Sequence, residues 1–297
     1  MIRILHILYE LDGGGVERLL WDYYSHLDHN TVQFDFAVSS KEKGMLEGGF
    51  LELGCRIHHI PQMHDGIWKY MSSIKRILAG SRYDIIHVHT GFKGFIPLRL
   101  AKKANIPARI VHAHQAFIPE NRLGRITRLV FTWLVKKYST QLFACGESAA
   151  TWMWGNKLYQ QGKVYIVRNA IEVSRFDFSE LKRNELRQSL GLQGKFVVGN
   201  VARFTFQKNH EFLLDVFSEV LKIRPDAVLL LVGRGEKENE IKEKARQLKL
   251  DSSVEFLGVR NDVQDLLNAF DVFILPARFE GLGIVFIEAQ ANGLSCF

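Results

Sequence analysis

MIRILHILYELDGGGVERLLWDYYSHL, residues 1–27, carries the pattern that decides the fold. Ile2–Ile7 is a short apolar run of the kind that fills a strand buried on both faces. It is interrupted too soon to serve as a signal peptide. The loop Asp12-Gly13-Gly14-Gly15-Val16-Glu17 follows, and Val16–Leu27 then shows helical spacing. Strand, glycine turn and helix make the first half of a βαβ unit.

The same alternation runs outward from this start. Further strands are expected at Phe34–Val38, Arg56–Ile60, Ile85–Val88, Arg109–His112 and Gln141–Ala144, with helices including Ile67–Leu78 and Arg122–Tyr138. After about residue 170 the pattern restarts. Strands fall at Phe196–Val201, Ala227–Val232, Val254–Leu257 and Val272–Leu275, with helices near 210–224, 236–248 and 263–270. Alternating βα units imply parallel sheets covered on both faces. The fold class is therefore α/β, two doubly wound Rossmann-like domains, with a junction near Val167–Phe178 and domains at 1–168 and 169–297. Strand ends of such domains are expected to face a shared crevice, where α/β folds bind ligands.

Composition agrees with an ordinary soluble globular protein: 297 residues, 47% apolar and 24% charged. No apolar run reaches the roughly 18 residues of a membrane span. Three widely spaced cysteines, Cys55, Cys145 and Cys296, argue for a reducing, cytoplasmic compartment and against a cysteine metal site. Charge is uneven. The first 170 residues hold 22 Lys and Arg against 13 Asp and Glu, and the remainder 17 against 19. A basic first half suggests an anionic partner. Nucleic acid is not expected, because no binding motif and no interleaved aromatic–basic strand accompanies the charge.

Several places carry chemistry. Gly13, Gly14 and Gly15 let backbone amides approach a ligand, although the loop fails the dinucleotide pattern at Arg18 and also reads as a tight βα turn. His87/His89 and His112/His114 form two His-x-His pairs at strand ends, where period two places each pair on one face. His87 and His112 read as hydrogen-bonded packing residues; His89 and His114, nearer the loops, read as site residues able to orient substrate, move a proton or bind metal. Arg203 and Lys208 share one loop and can converge on an anion, Arg as a fork and Lys as a point charge. Solvated loop charges are the alternative. Gly233 in Gly233-Arg234-Gly235 admits either a ligand or a simple turn. Glu280 and Glu288 flank Gly281, Leu282 and Gly283 at a helix start. Amides there attract phosphate, and carboxylates accept from hydroxyls such as those of a ribose or sugar. Finally, Arg122, Arg125 and Arg128 lie on a helix with Leu129, Phe131, Trp133 and Leu134, preceded by Phe117-Ile118-Pro119. This reads either as a helix resting on an anionic membrane face or as an amphipathic domain helix.

Taken in order, Gly14-Gly15-Val16-Glu17, His89, His114, Asn169-Ala170-Ile171-Glu172, the Arg203/Lys208 loop and Glu280-x7-Glu288 resemble the retaining GT-B glycosyltransferases of family 4. VHAHQAF, ACGESAA and FEGLGIVFIEAQANGL give the resemblance a bacterial exopolysaccharide or capsule flavour. The resemblance implies transfer of a hexose or N-acetylhexosamine from a nucleotide sugar, UDP-linked, to a lipid-linked or polysaccharide acceptor. It implies retention, and no cofactor or metal, because Arg203 and Lys208 would hold the diphosphate and stabilise the leaving charge. Glu288 would serve the ribose, Glu280 the donor sugar, and Gly281, Leu282 and Gly283 the sugar and phosphates. His114 would sit near the reacting carbon and Gly14 and Gly15 beside the diphosphate, with His89, Asn169 and Gly233 also on the donor side. An acceptor on a lipid carrier places the work at the inner face of the cell membrane.

Relatives in the resembled family run further, so Leu294-Ser295-Cys296-Phe297 reads as a strand cut short. The expectation is an unfinished second domain, weak or absent activity, and self-association over the exposed edge. Two other functions stay open: a nucleotide-sugar-binding fragment without turnover, and a metal-dependent hydrolase on the His-x-His pairs. For the latter, Asp84 and Glu120 are poorly placed as ligands.

Overall fold

The computed structural model describes residues 1–114, 122–280 and 282–297. The chain divides into two compact units, Met1–Ala170 and Ile171–Phe297, each built on a parallel sheet with helices on both faces.

The first unit runs β1 (Ile2–Leu8), α1 (Gly15–Ser25), β2 (Val32–Val38), α2 (Glu47–Glu52), β3 (Arg56–His59), α3 (Ile67–Gly80), β4 (Ile85–Val88), α4 (Phe95–Lys103), β5 (Ala108–Ala113), α5 (Arg122–Tyr138), β6 (Gln141–Ala144), α6 (Glu147–Trp154), α7 (Asn156–Gln160) and β7 (Val164–Ile166). Its sheet order is β3-β2-β1-β4-β5-β6-β7. The order reverses between β1 and β4, so the loops after these two strands part to opposite faces and leave a crevice at their carboxyl ends. Apolar runs make these strands because both faces are covered: Leu5, Ile7, Ile86, Val88 and Val111 are fully buried. One charge lies inside. Asp35 accepts from the Arg3 guanidinium at 2.6 Å, the Tyr83 hydroxyl at 3.0 Å and the Arg56 amide at 3.0 Å. A carboxylate buried with a cation and two further donors has the company it needs.

The second unit runs α8 (Glu180–Ser189), β8 (Phe196–Val201), α9 (His210–Ile223), β9 (Ala227–Val232), α10 (Glu238–Gln247), β10 (Val254–Gly258), α11 (Val263–Leu266), β11 (Val272–Phe273), α12 (Ile284–Ala291) and β12 (Ser295–Cys296). The order β10-β9-β8-β11-β12 places its reversal between β8 and β11. β9, AVLLLV, is buried along its whole length. Gly199 in β8 leaves room for the Phe270 ring, which a Cβ would strike. α8 starts at Ser179, whose Oγ accepts from the Lys182 amide at 3.3 Å.

Two expected elements are shorter than their patterns. The helix near 263–270 is a four-residue α-helix followed by a 3-10 turn, Leu267–Ala269. The strand Val272–Leu275 pairs as a ladder only over Val272–Phe273. Both lie where the chain crosses the sheet reversal, and Leu266, Leu267, Ala269 and Phe270 are drawn into the core by burial rather than by helical period. Apolar residues packed on every side leave no periodic signal.

Candidate functional site

In the second unit the crevice at the sheet reversal collects the residues singled out for anion and hydroxyl chemistry. The loop after β8 carries Arg203 to Lys208; the segment after β11 carries Arg278 to Glu280 and leads into α12. The two are laced together. The Arg278 amide donates to the Gln207 carbonyl at 2.8 Å, and Gln207 Nε2 donates to the Phe279 carbonyl at 2.9 Å. The Arg278 guanidinium lies over the Phe206 ring, 4.5 Å from its centroid. At the end of this seam the Lys208 ammonium forms an ion pair with Glu280. α12 follows Gly283 with no side chain capping it, and the Phe286 amide of its first turn donates to the Gly283 carbonyl at 3.0 Å; a helix start without a side-chain cap suits an oxygen ligand. Glu288 lies in the second turn of this helix. Gly281 lies outside the described residues, and Leu282 is partly exposed beside it.

Gly233 has a backbone reason of its own. Its φ is +132°, and a Cβ there would collide with the Ala202 carbonyl oxygen; one at Gly235 would collide with that of Phe204. The pair of glycines lets the turn after β9 close on the Arg203 loop, fastened by the Phe204 amide donating to the Arg234 carbonyl at 2.9 Å. His210 supports the same loop from beneath. It is buried, packs edge-on against Phe204 at 4.6 Å, and is pushed down to about 4 by burial and then by the Lys208 charge.

In the first unit, α1 starts at Gly15 after an extended Gly14, again with no side-chain cap. Asn169 holds its Oδ1 buried without a partner among the described residues. Histidines fill the crevice at the sheet reversal. Register sets His6 of β1 beside His87 of β4, and period two brings His89, His112 and His114 to the same face. His6 Nδ1 meets His89 Nε2 at 3.0 Å, and His89 Nδ1 meets His114 Nε2 at 2.9 Å. Three rings thus form one hydrogen-bonded chain, with a proton in each contact and two possible directions. Burial pushes His6 and His114 down to about 3. His87, His89 and His112 are held well below the usual imidazole range by burial and then by the neighbouring histidines, His6 and His114 among them in each case.

This corrects the expected division of labour. His89 and His114, singled out as site residues, hydrogen-bond to each other, but His87 and His112 are not hydrogen-bonded packing residues: His87 Nε2 and both ring nitrogens of His112 are buried without a partner among the described residues. Residue-by-residue reading missed His6. A lone histidine in an apolar run reads as packing, and only the adjacency of β1 and β4 would have drawn it in. The seam of Gln207 and Arg278 went unnoticed for the same reason, since neither belongs to a motif. Phe117-Ile118-Pro119 lie outside the described residues.

Two parallel-sheet units, each with its conspicuous polar residues at the strand reversal, define the GT-B glycosyltransferase class. The chain belongs to Glycosyltransferase Family 4, whose family model matches residues 13–175; the Glycosyl transferases group 1 model matches residues 182–297. It is 33% identical to the putative glycosyltransferase EpsF of Bacillus subtilis (strain 168), over 99% of this chain and 78% of that one. It is 29% identical to a UDP-Gal:alpha-D-GlcNAc-diphosphoundecaprenol alpha-1,3-galactosyltransferase of Escherichia coli, with the same coverage. Among solved structures, Anabaena HepE in complex with UDP-glucose shares the fold at a TM-score of 0.81 and 20% identity, covering 100% of this chain and 80% of that one.

Proposed function

We propose that this chain transfers a hexose or N-acetylhexosamine from a UDP-sugar to a lipid-linked or polysaccharide acceptor, with retention at the anomeric carbon and without a metal at the diphosphate. The observation that carries the reading is the Lys208–Glu280 pair at the strand reversal of the second sheet, beside the uncapped start of α12. An ammonium next to a helix start without a side-chain cap is a seat for a diphosphate. On donor binding Lys208 turns to the phosphate and, with Arg203, stabilises the negative charge that grows on the departing UDP. Glu280, released, accepts from a hydroxyl of the donor sugar, and Glu288 accepts from the ribose. Gly281, Leu282 and Gly283 serve the sugar and phosphates. On the first unit Gly14 and Gly15 serve the diphosphate and His114 the reacting sugar, with His89 and Asn169 as donor-side residues. The relatives support the donor and acceptor classes: one is named for UDP-Gal and a diphosphoundecaprenol-linked sugar, and the HepE structure holds UDP-glucose.

A thermal-shift screen across nucleotide sugars tests the donor. UDP should raise the midpoint of the chain, and Arg203→Ala or Glu288→Ala should abolish the rise; no shift with any nucleotide overturns the reading. The anomeric configuration of the product, read by proton NMR, tests retention.

Peripheral contact with an anionic membrane, at the cytoplasmic face where a lipid-linked acceptor is presented, belongs to the same proposal. No helix among the described residues is long and apolar enough to cross a membrane. α5 instead exposes Leu123, Ile126, Leu129, Val130 and Trp133, all at least half accessible, among Arg122, Arg125 and Lys137. Apolar side chains ringed by cations suit a headgroup layer of negative charge.

A further inference from the structure

We propose that His89 and His6 are positioning residues for His114: the hydrogen-bonded chain through their rings fixes the proton of His114 on Nδ1, so that His114 meets a hydroxyl of the donor sugar as a neutral hydrogen-bond donor. This role rests on the place given above to His114 beside the reacting sugar. The chain of rings lies wholly within the first unit.

Proton count sets the lock. His6 Nδ1 lies 3.0 Å from His89 Nε2, and His89 Nδ1 lies 2.9 Å from His114 Nε2. Both are hydrogen-bond distances, so each contact holds one proton. Burial keeps the three rings neutral, with His6 and His114 pushed down to about 3 and His89 held well below its usual range. A neutral imidazole carries one N–H and one lone pair. If His89 holds its proton on Nδ1, His114 must offer a bare Nε2 and carry its own proton on Nδ1, while His6 must donate from Nδ1. If His89 holds it on Nε2, all three rings carry Nε2–H. No mixed state keeps both hydrogen bonds, so the tautomer of His114 changes only when all three protons move.

The buried end of the chain chooses between the two states. His6 is 2% exposed, and its Nε2 has no partner among the described residues; Phe34 and Phe36 pack against its ring. The Nε2–H state strands an N–H there. The Nδ1–H state strands only a lone pair, and a buried N–H without an acceptor is the rarer of the two in folded proteins. It also places the spare N–H on His114, which is half-buried and follows directly on the end of β5. A ligand oxygen can accept from it there. Both nitrogens of His89 are used within the chain, so His89 serves the donor through His114.

The test reads the tautomers directly. Long-range proton–nitrogen correlation spectra of the full chain, isotope-labelled at the histidine ring nitrogens and at neutral pH, separate a bare nitrogen from an N–H, and single substitutions assign the signals. His6, His89 and His114 should all show a protonated Nδ1 and a bare Nε2. In His89→Phe, His114 should show both tautomers. Affinities for UDP-glucose, UDP-galactose and UDP-N-acetylglucosamine, each divided by that for UDP, give a second readout. For the sugar that binds best, the ratio should fall roughly 2- to 10-fold in His114→Phe. It should fall by the same factor in His89→Phe and no further in the double variant, whereas independent structural effects would add. Circular dichroism checks each fold, and if His89→Phe does not fold, the spectrum of the unaltered chain decides. An Nε2–H on any of the three rings, a single unchanged tautomer of His114 in folded His89→Phe, or additive losses overturn the proposal. The expected spectrum with no binding of any UDP-sugar overturns the sugar contact and the function proposed above, while the lock among the rings stands.

Discussion

Lys208 and Glu280 neutralise one another across two loops of the second sheet, and their roles separate once either is removed. Both side chains are mostly covered, 17% and 28% exposed, so the pair interacts more strongly than two surface charges would, yet solvent still screens it. Glu280→Gln leaves the ammonium without its carboxylate but still within reach of a diphosphate. UDP should bind this variant as tightly as the parent or a few-fold tighter, while sugar transfer falls roughly 10-fold, because the neutral amide oxygen of Gln accepts from a sugar hydroxyl more weakly than a carboxylate does. Lys208→Ala removes a charge-assisted contact of about 1.5–3 kcal/mol and should weaken UDP binding roughly 10- to 100-fold. Titration calorimetry with UDP, alongside a transfer assay, distinguishes the two. Equal loss of UDP affinity in both variants would mean that the pair only fastens the loops. Much of this was legible in the sequence, because a strand followed by a basic loop and a glycine turn followed by a helix each have a local signature. What could not be read was that Glu280 reaches Lys208: residues 72 apart meet only because β8 and β11 are neighbours.

Among the elements, α5 is the one whose pattern and placement diverge. Its period marks a helix with a basic side and an apolar side, and periodicity alone leaves open which side faces inward. Thr132 and Val135 are the buried ones. Phe131 stacks on Phe95 at 5.0 Å and Arg128 lies over Trp152 at 5.1 Å, while Leu129 and Trp133 stand 54% and 59% exposed. Fully burying such a side chain is worth about 1.5–3 kcal/mol. Leu129→Ser with Trp133→Ser should therefore reduce sedimentation with phosphatidylglycerol vesicles at least 10-fold. Since neither residue is in the core, the thermal midpoint should stay within about 2 °C. High salt should weaken binding by the unaltered chain, as screening of Arg122, Arg125 and Lys137 requires. Unchanged sedimentation by the double variant would remove α5 from the membrane proposal. A fall in midpoint typical of a core mutation would show that the face is packed in solution.

At the scale of the whole molecule, the alternation of short apolar strands with helices was enough to establish two parallel-sheet units, because strands buried on both faces must read as near-continuous apolar runs. Strand order was not legible, and with it went the histidine cluster, which depends on β1 lying beside β4. That cluster makes the two units unequal toward acid. His6, His87, His89, His112 and His114 are all held uncharged in the first unit, and His210 in the second. Each has a folded-state pKa below the unfolded value of about 6.5. The unfolded chain therefore binds more protons, and the stability of the neutral, buried form is complete above pH 6.5 and lost as pH falls toward the folded values, about 3 for His6 and His114 and about 4 for His210. Near pH 5 each such group contributes a slope of up to about 1.4 kcal/mol per pH unit, so the first unit should lose stability several times faster than the second. Scanning calorimetry of the chain between pH 7 and 4.5 should show one transition moving down steeply and another moving little. Replacing His6 with Phe, which keeps an aromatic ring against Phe34 and Phe36, should flatten the steep transition by about one proton's slope. Two transitions that fall in parallel would mean that carboxylates, which both units contain, govern the acid response instead.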